Sequence, residues 1–332
     1  MPRRKEPPEP PPIHERLNDP DHVTRLSAMG ELLRPGSDPG PHRQDITDRL
    51  QDENESIRKL AVLLLSTLGA AHELGLALEE KQPVAIRLAA ASCLGQLGPK
   101  AEPATAPLCR SIRSRADQLR FLSSFALGKI GAPAVPPLRR LLVDPEPSVL
   151  CAVVDALGWI GTDAQPSVPE IERLAGHPDA KLRLACPAAL IKITGKASAG
   201  VPALTRNLEE SDDEEIRAES AHRLAGLRDA AKDARPALLA ATKDRSPKVR
   251  AKSAVALVTT GVPAPQAVEA VSPLLRDTDA DVRAHAAMSL AHLGPEARQA
   301  LPELRRMSQD PNERVVAVSK AAVERIDAPA KS

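Results

Sequence analysis

The feature that most constrains this chain is a short frame that returns at a nearly constant interval. Val249-Arg250-x-x-Ser253-x-x-Ala256-Leu257 stands beside Val282-Arg283-x-x-Ala286-x-x-Ser289-Leu290. The frame recurs as Ile57-Arg58…Ala61…Leu64-Leu65, Ile86-Arg87…Ala90…Cys93-Leu94 and Leu119-Arg120…Ser123…Ala126-Leu127. It continues as Leu182-Arg183…Cys186…Ala189-Leu190 and Ile216-Arg217…Ser220…Arg223-Leu224, while Val149-Leu150 and Val315-Val316 replace the arginine. Successive frame positions lie 29, 33, 30, 33, 34, 33, 33 and 33 residues apart, and a weaker opening copy, Arg25…Ala28…Leu32, makes ten. Such a period belongs to solenoids, where each copy buries its apolar face only by stacking on its neighbours.

Each copy reads as two helices. The first carries Pro136, Pro169, Pro202, Pro236 or Pro302, eight residues before a shared turn position. Proline is tolerated in a first helical turn and kinks an interior one; the sequence leaves both open. The turn holds Asp52, Asp144, Asp244, Asp277 or Asp310, six residues before the frame position. Ser246-Pro247 then has the form of a capping serine followed by a first-turn proline. The second helix closes with Gly95-Gln-Leu-Gly98, Gly128-Lys-Ile-Gly131 or Gly158-Trp-Ile-Gly161, where the last glycine suits a left-handed cap.

At about 100° per residue, positions −1, +3, +6, +7 and +10 from the frame share one face, mostly apolar or small, and form the expected core. The chain has only Phe121, Phe125 and Trp159 as aromatics, with no tyrosine, so that core is built from small aliphatic residues. Positions +1, +5 and +9 point the opposite way. All three aromatics fall there, together with Cys151, Asp155, Leu88 and Leu184.

The segments "VPALTRNLEESDDEEIRAESAHRLAGL" and "APAVPPLRRLLVDPEPSVLCAVVDALGWIG" resemble HEAT repeats, in particular the bacterial type named after phycobilisome lyase subunits. The resemblance implies an all-α fold, a right-handed α-solenoid of about ten helical hairpins over residues 20–327. A proline-rich, disordered arm is expected over 1–19, an inserted loop over 35–41 and a short tail over 328–332. It also implies that the second helices line a concave surface. Phe121, Phe125, Trp159, Leu88, Cys151, Asp155 and Leu184 then form a candidate groove for a peptide or helix. The alternative is that these side chains bend into the seam between helices. The frame arginines Arg58, Arg87, Arg120, Arg183, Arg217, Arg250 and Arg283 are expected to form a structural ladder with Asp52, Asp144, Asp244, Asp277 and Asp310.

Other chemistries find little purchase. Lys+Arg number 45 and Asp+Glu 44, a net charge of +1 that gives no basic footprint for a nucleic acid. Local basic clusters (Arg110, Arg113, Arg115 and Arg120; Lys243, Arg245, Lys248, Arg250 and Lys252) and the acidic turn 209–215 read as solvated turns and helix starts. Deoxyhypusine hydroxylase has similar repeats but needs His-Glu pairs after the frame arginine, and here those slots hold Ala284-His285, Ala218-Glu219 and Ala251-Lys252. The dipeptides His14-Glu15 and His72-Glu73 lie elsewhere, and His285 and His292 read as solvent-facing. Cys151 and Asp155 are an i, i+4 pair without a histidine partner in those slots, which disfavours a nucleophilic cysteine. Cys93, Cys109, Cys151 and Cys186 form no C-x-x-C pair and are read as reduced thiols of a cytoplasmic protein. No membrane span, metal or cofactor is expected. The favoured reading is a non-enzymatic scaffold; a bilin-lyase-like or chaperone-like subunit and a HEAT-type oxidoreductase are the alternatives.

Overall fold

The computed structural model describes residues 10–328, all-α, and the chain divides into two compact units, Met1–Ser167 and Val168–Ser332. In the first, five hairpins pair α1 (Ile13–Leu17) with α2 (His22–Leu32), α3 (Arg43–Asp48) with α4 (Glu55–Thr67), α5 (Ala71–Leu76) with α6 (Val84–Leu97), α7 (Thr105–Ser111) with α8 (Asp117–Ile130), and α9 (Val135–Leu141) with α10 (Pro147–Ile160). In the second, α11 (Val168–Leu174) pairs with α12 (Ala180–Thr194), α13 (Val201–Glu210) with α14 (Glu214–Leu227), α15 (Arg235–Ala241) with α16 (Pro247–Thr259), α17 (Ala264–Val271) with α18 (Ala280–Leu293), and α19 (Leu301–Arg306) with α20 (Glu313–Asp327). The ten hairpins are an α-solenoid, as the repeat implies. The sequence treats residues 20–327 as one array, whereas the packing divides it after Ser167.

The helical array begins earlier in the sequence than expected. Residues 1–9 of the expected arm and 329–332 of the expected tail lie outside the described residues. Within 10–19, however, α1 is a formed helix with Leu17 fully buried and Arg16 Nη1 2.8 Å from Glu31. A single apolar side chain with a core to enter outweighs the proline content before it.

The proline question resolves uniformly. Pro136, Pro169, Pro202, Pro236 and Pro302 are each the second residue of their helix, α9, α11, α13, α15 and α19. The missing N–H there is one the helix has no partner for, so no kink results.

The core follows the frame. Val249, Ser253, Ala256 and Leu257 of α16 and Thr260 just after it are fully buried, as are Val282, Ala286 and Leu290 of α18. Small side chains at these positions let second helices lie against one another: α14 on α16, α16 on α18, α18 on α20, and, in the first unit, α6 on α8 and α8 on α10. No aromatic side chain is buried.

Two details depart from expectation. Ser246 sits at the N-cap of α16 with Pro247 after it, yet its hydroxyl makes no capping bond and is buried without a partner. The turn is held two residues upstream instead, where the Asp244 carboxylate accepts the Ser246 N–H at 2.7 Å. The closing glycines are also not in the left-handed helical region. Gly98 and Gly131 have φ 59° and 85° with ψ −128° and −143°, a combination that strongly favours glycine. Arg228 takes the same slot after α14 at φ 51°, ψ −133°, the sole non-glycine residue with positive φ among those described.

Candidate partner-binding face

The scaffold of the turns comes first, because it fixes the spacing of the second helices. In the second unit Arg217, Arg250 and Arg283 each make two bonds to the aspartate 27 residues on. Arg217 reaches Asp244 (2.9 and 2.9 Å), Arg250 reaches Asp277 (2.7 and 2.8 Å) and Arg283 reaches Asp310 (2.7 and 2.9 Å). The same guanidiniums donate Nη1 to carbonyls of their own preceding turn: Ser211 and Asp212, Asp244 and Arg245, Asp277 and Thr278. Each aspartate also accepts the N–H two residues on, at Ser246, Asp279 and Asn312. Every such turn is therefore gripped from both sides, by planar bidentate pairs.

Burial pushes the Asp244 and Asp277 carboxyls up. The bonds from Arg217 and Arg250 and from the turn N–H groups outweigh it, so both lie below the ordinary value. Asp310 is held low chiefly by Arg283.

The first unit holds one such rung, Arg25 to Asp52 at 2.8 and 3.0 Å, with Arg25 Nη1 on the Asp19 and Pro20 carbonyls. The remaining ladder positions part from the expected pattern. Arg58 donates only to the Asp52 and Glu53 carbonyls and leaves Nε buried without a partner. Arg87 reaches the Leu78 carbonyl, and Arg120 the Ser114 carbonyl and Asp117. Asp144 is taken by Arg113, off the frame, at 2.8 Å. The reason is visible in the spacing: 27 residues beyond Arg58, Arg87 and Arg120 stand Ala85, Ser114 and Pro147, not aspartates. In the second unit Arg183 bonds Asn207 Oδ1 at 2.9 Å instead of an aspartate, and Asn207 returns a bond to the Arg183 carbonyl.

The aromatic residues gather on the face away from the core. Phe121 and Phe125 on α8 and Trp159 on α10 remain 55%, 36% and 36% exposed. The phenyl rings lie nearly parallel, 6.4 Å apart with 16° between planes, and Trp159 stands across both, 5.8 Å from each at 86° and 74°. Lys129 Nζ lies 5.3 Å over the Phe125 ring, within cation–π range. The rings thus form one partly exposed cluster, with Phe121 the most open and Phe125 and Trp159 also resting against the preceding second helix.

Of the other expected groove residues, Leu88 on α6 and Cys151 on α10 are half-buried, and Asp155 on α10 is exposed one turn before Trp159. Leu63 on α4, 47% exposed at the +5 position, continues the apolar face and was not singled out by the sequence. Leu184 sits on α12 of the other unit, half-buried, with its carbonyl accepting Arg223 Nη1.

Two glycines create the seat. A Cβ at Gly128 would lie 2.8 Å from the Trp159 Cβ, and one at Gly95 would lie 3.2 Å from Phe125 Cδ1. At Gly95 and Gly128 the first glycine of the Gly-x-x-Gly ending therefore admits the ring of the following second helix. Its recurrence eight residues after the frame was the signal, and a capping role alone does not explain it.

The equivalent face of the second unit is different in kind. A depression of about 310 Å³ has Ala218 and Ala251 on its floor and charged residues around it. Glu215, Lys248, Asp281 and Arg314 alternate in sign on successive second helices. Lys248 pairs with Glu215, and Arg314 Nη1 lies 2.6 Å from Asp281. His285 Nδ1 is 2.7 Å from the Asp281 carbonyl, half-buried rather than solvent-facing, while His292 is exposed. Asp213 of the acidic turn caps α14, and Glu73 is gripped by Arg43 at 2.6 and 2.7 Å. Among the described residues no group of three or more metal-binding side chains converges, and no helix is long and apolar enough to cross a membrane.

A protein-family profile described as HEAT repeats matches residues 105–190, 201–278 and 235–324, more than half of the chain. No curated protein matches the sequence significantly. Among solved structures, the Kap95:Nup1 complex aligns with TM-score 0.61 and 11% identity, over 95% of this chain and 48% of that one. Kap121p bound to the extreme C-terminus of the phosphatase Cdc14p aligns with TM-score 0.61 and 12% identity, over 95% and 41%. The chain thus spans about half the length of those molecules or less, and the likeness is one of fold.

Proposed function

The chain belongs to the HEAT-repeat family, and on that premise we propose that it is a non-enzymatic interaction scaffold whose aromatic face on α8 and α10 captures a peptide or helix of a partner protein. The observation that carries this reading is the confinement of every aromatic side chain to one exposed cluster, in a chain whose core uses none. Exposed apolar patches of this kind mark interaction sites, and aromatic side chains are the common anchors in them. The similar solenoids point the same way: Kap95 is seen with Nup1, and Kap121p with the C-terminus of Cdc14p. The repeat frame further supports assignment to the phycobilisome-lyase-like type of HEAT repeat. The thiols of Cys93 and Cys109, without disulfides, are in keeping with a reducing, cytoplasmic setting.

The test is the full chain carrying Phe121→Ser, Phe125→Ser and Trp159→Ser. Helicity by circular dichroism should persist, with the melting temperature lowered by no more than a few degrees, while the partner recovered with the natural chain is lost. A collapse of the melting transition would show instead that the rings are structural. Undiminished partner recovery would place binding elsewhere.

A further inference from the structure

We propose that the aromatic face takes the proline-rich segment, residues 7–12, of a second copy of this chain. The inference rests on the reading that this face binds a peptide and names the occupant. The rings form a right-angled corner: two near-parallel phenyl rings on α8, with the Trp159 ring standing across both from α10. Aromatic-lined surfaces of this sort receive proline-rich segments in the polyproline II form, because pyrrolidine rings pack on aromatic faces and little chain entropy remains to be lost. The sequence carries its densest proline run at Pro7, Pro8, Pro10, Pro11 and Pro12. Where that run enters the described structure, Pro12 has φ −51° and ψ 150°, the polyproline II conformation.

Reach decides which copy supplies the segment. Five residues separate Pro7 from Pro12, so a polyproline II run could carry Pro7 no more than roughly 16 Å away, at about 3.1 Å per residue. From α2 to α8 there are three helix spacings, α2 to α4, α4 to α6 and α6 to α8. At about 8–10 Å each this is roughly 24–30 Å. The prolines cannot reach the rings of their own chain, so the occupant comes from another molecule.

The test combines sedimentation equilibrium of the full chain with the emission of Trp159, its sole tryptophan. The average mass should rise with protein concentration. Both Phe121→Ser and a full-length variant with Pro7→Ser, Pro8→Ser, Pro10→Ser and Pro11→Ser should stay monomeric. A synthetic peptide of residues 1–12 should shift Trp159 emission and lower the average mass, and the same peptide with its prolines replaced by serine should do neither. A monomer at every concentration with a silent peptide overturns the proposal, as does association that survives both variants. A peptide that shifts Trp159 emission while the chain stays monomeric overturns it in favour of a proline-rich segment of another protein. If the peptide is silent but partner recovery still depends on Phe121, Phe125 and Trp159, the scaffold reading stands and this inference alone falls.

Discussion

The two units spend the same repeat in different ways. In the second, three consecutive arginines reach the aspartate of the next turn, and the face opposite the core is floored by alanines and crossed by charges of alternating sign. In the first, the arginines of α4, α6 and α8 find no aspartate at that distance, and the same face carries Leu63, Phe121, Phe125 and Trp159. One unit has its helix register fixed by ion pairs from turn to turn. In the other, one such rung remains, between Arg25 and Asp52, and at α6 and α8 glycines let rings settle against the preceding helix. A repeat can thus keep its core and still divide holding from binding between its copies.

The sharpest way to break the comparison is at a rung. Asp277→Asn removes the charge that Arg250 meets and should cost roughly 3 kcal/mol, since breaking a largely buried pair strands its partner. Arg120→Met, where no aspartate waits in the next turn, should cost about 1 kcal/mol. Chemical denaturation of the two variants checks both, and equal losses would erase the distinction between the units.

Acid provides a second probe. The carboxyls of Asp244, Asp277 and Asp310 lie below the ordinary 3.8, so their stabilisation is complete above that value and lost as pH falls through the depressed folded values. Below pH 3.8 hydrogen exchange should accelerate first in α16, α18 and α20, and later in α6 and α8. The reverse order would mean that the rungs do not hold the second unit.

Gly128→Ala is expected to cost about 1–2 kcal/mol despite the better helix propensity of alanine, because the new methyl meets the Trp159 Cβ. A red shift of tryptophan emission should accompany the loss, and an unchanged spectrum would deny the glycine its role as a seat. The smallest effect is a gain. Arg228→Gly relieves a positive φ that its predecessors in the repeat meet with glycine, and should stabilise the second unit by about 1 kcal/mol by thermal melt.

Much of this was legible in the sequence, and for a physical reason. A frame that repeats ten times averages out local ambiguity, so the hairpins, the core positions and the outward placement of Phe121, Phe125 and Trp159 followed from periodicity alone. What escaped was set by distance between copies. The frame showed Arg58 and Arg250 as equals, and only the residue 27 positions on (Ala85 against Asp277) decides which one finds an aspartate. The division after Ser167 left no mark in the repeat. Pairwise spacing across one full repeat would have found the rungs. The exposure of the rings depended on how closely Gly95 and Gly128 let the helices approach.

The central claim is that the aromatic cluster is where the partner meets this protein, and Trp159 tests it most directly. As the sole tryptophan, half-exposed and in contact with both phenylalanines, its emission reports on the cluster alone. The account predicts that saturating the natural chain with its partner shifts that emission to the blue and shields it from a soluble quencher. Saturable binding that leaves both the emission and the quenching of Trp159 unchanged would contradict it.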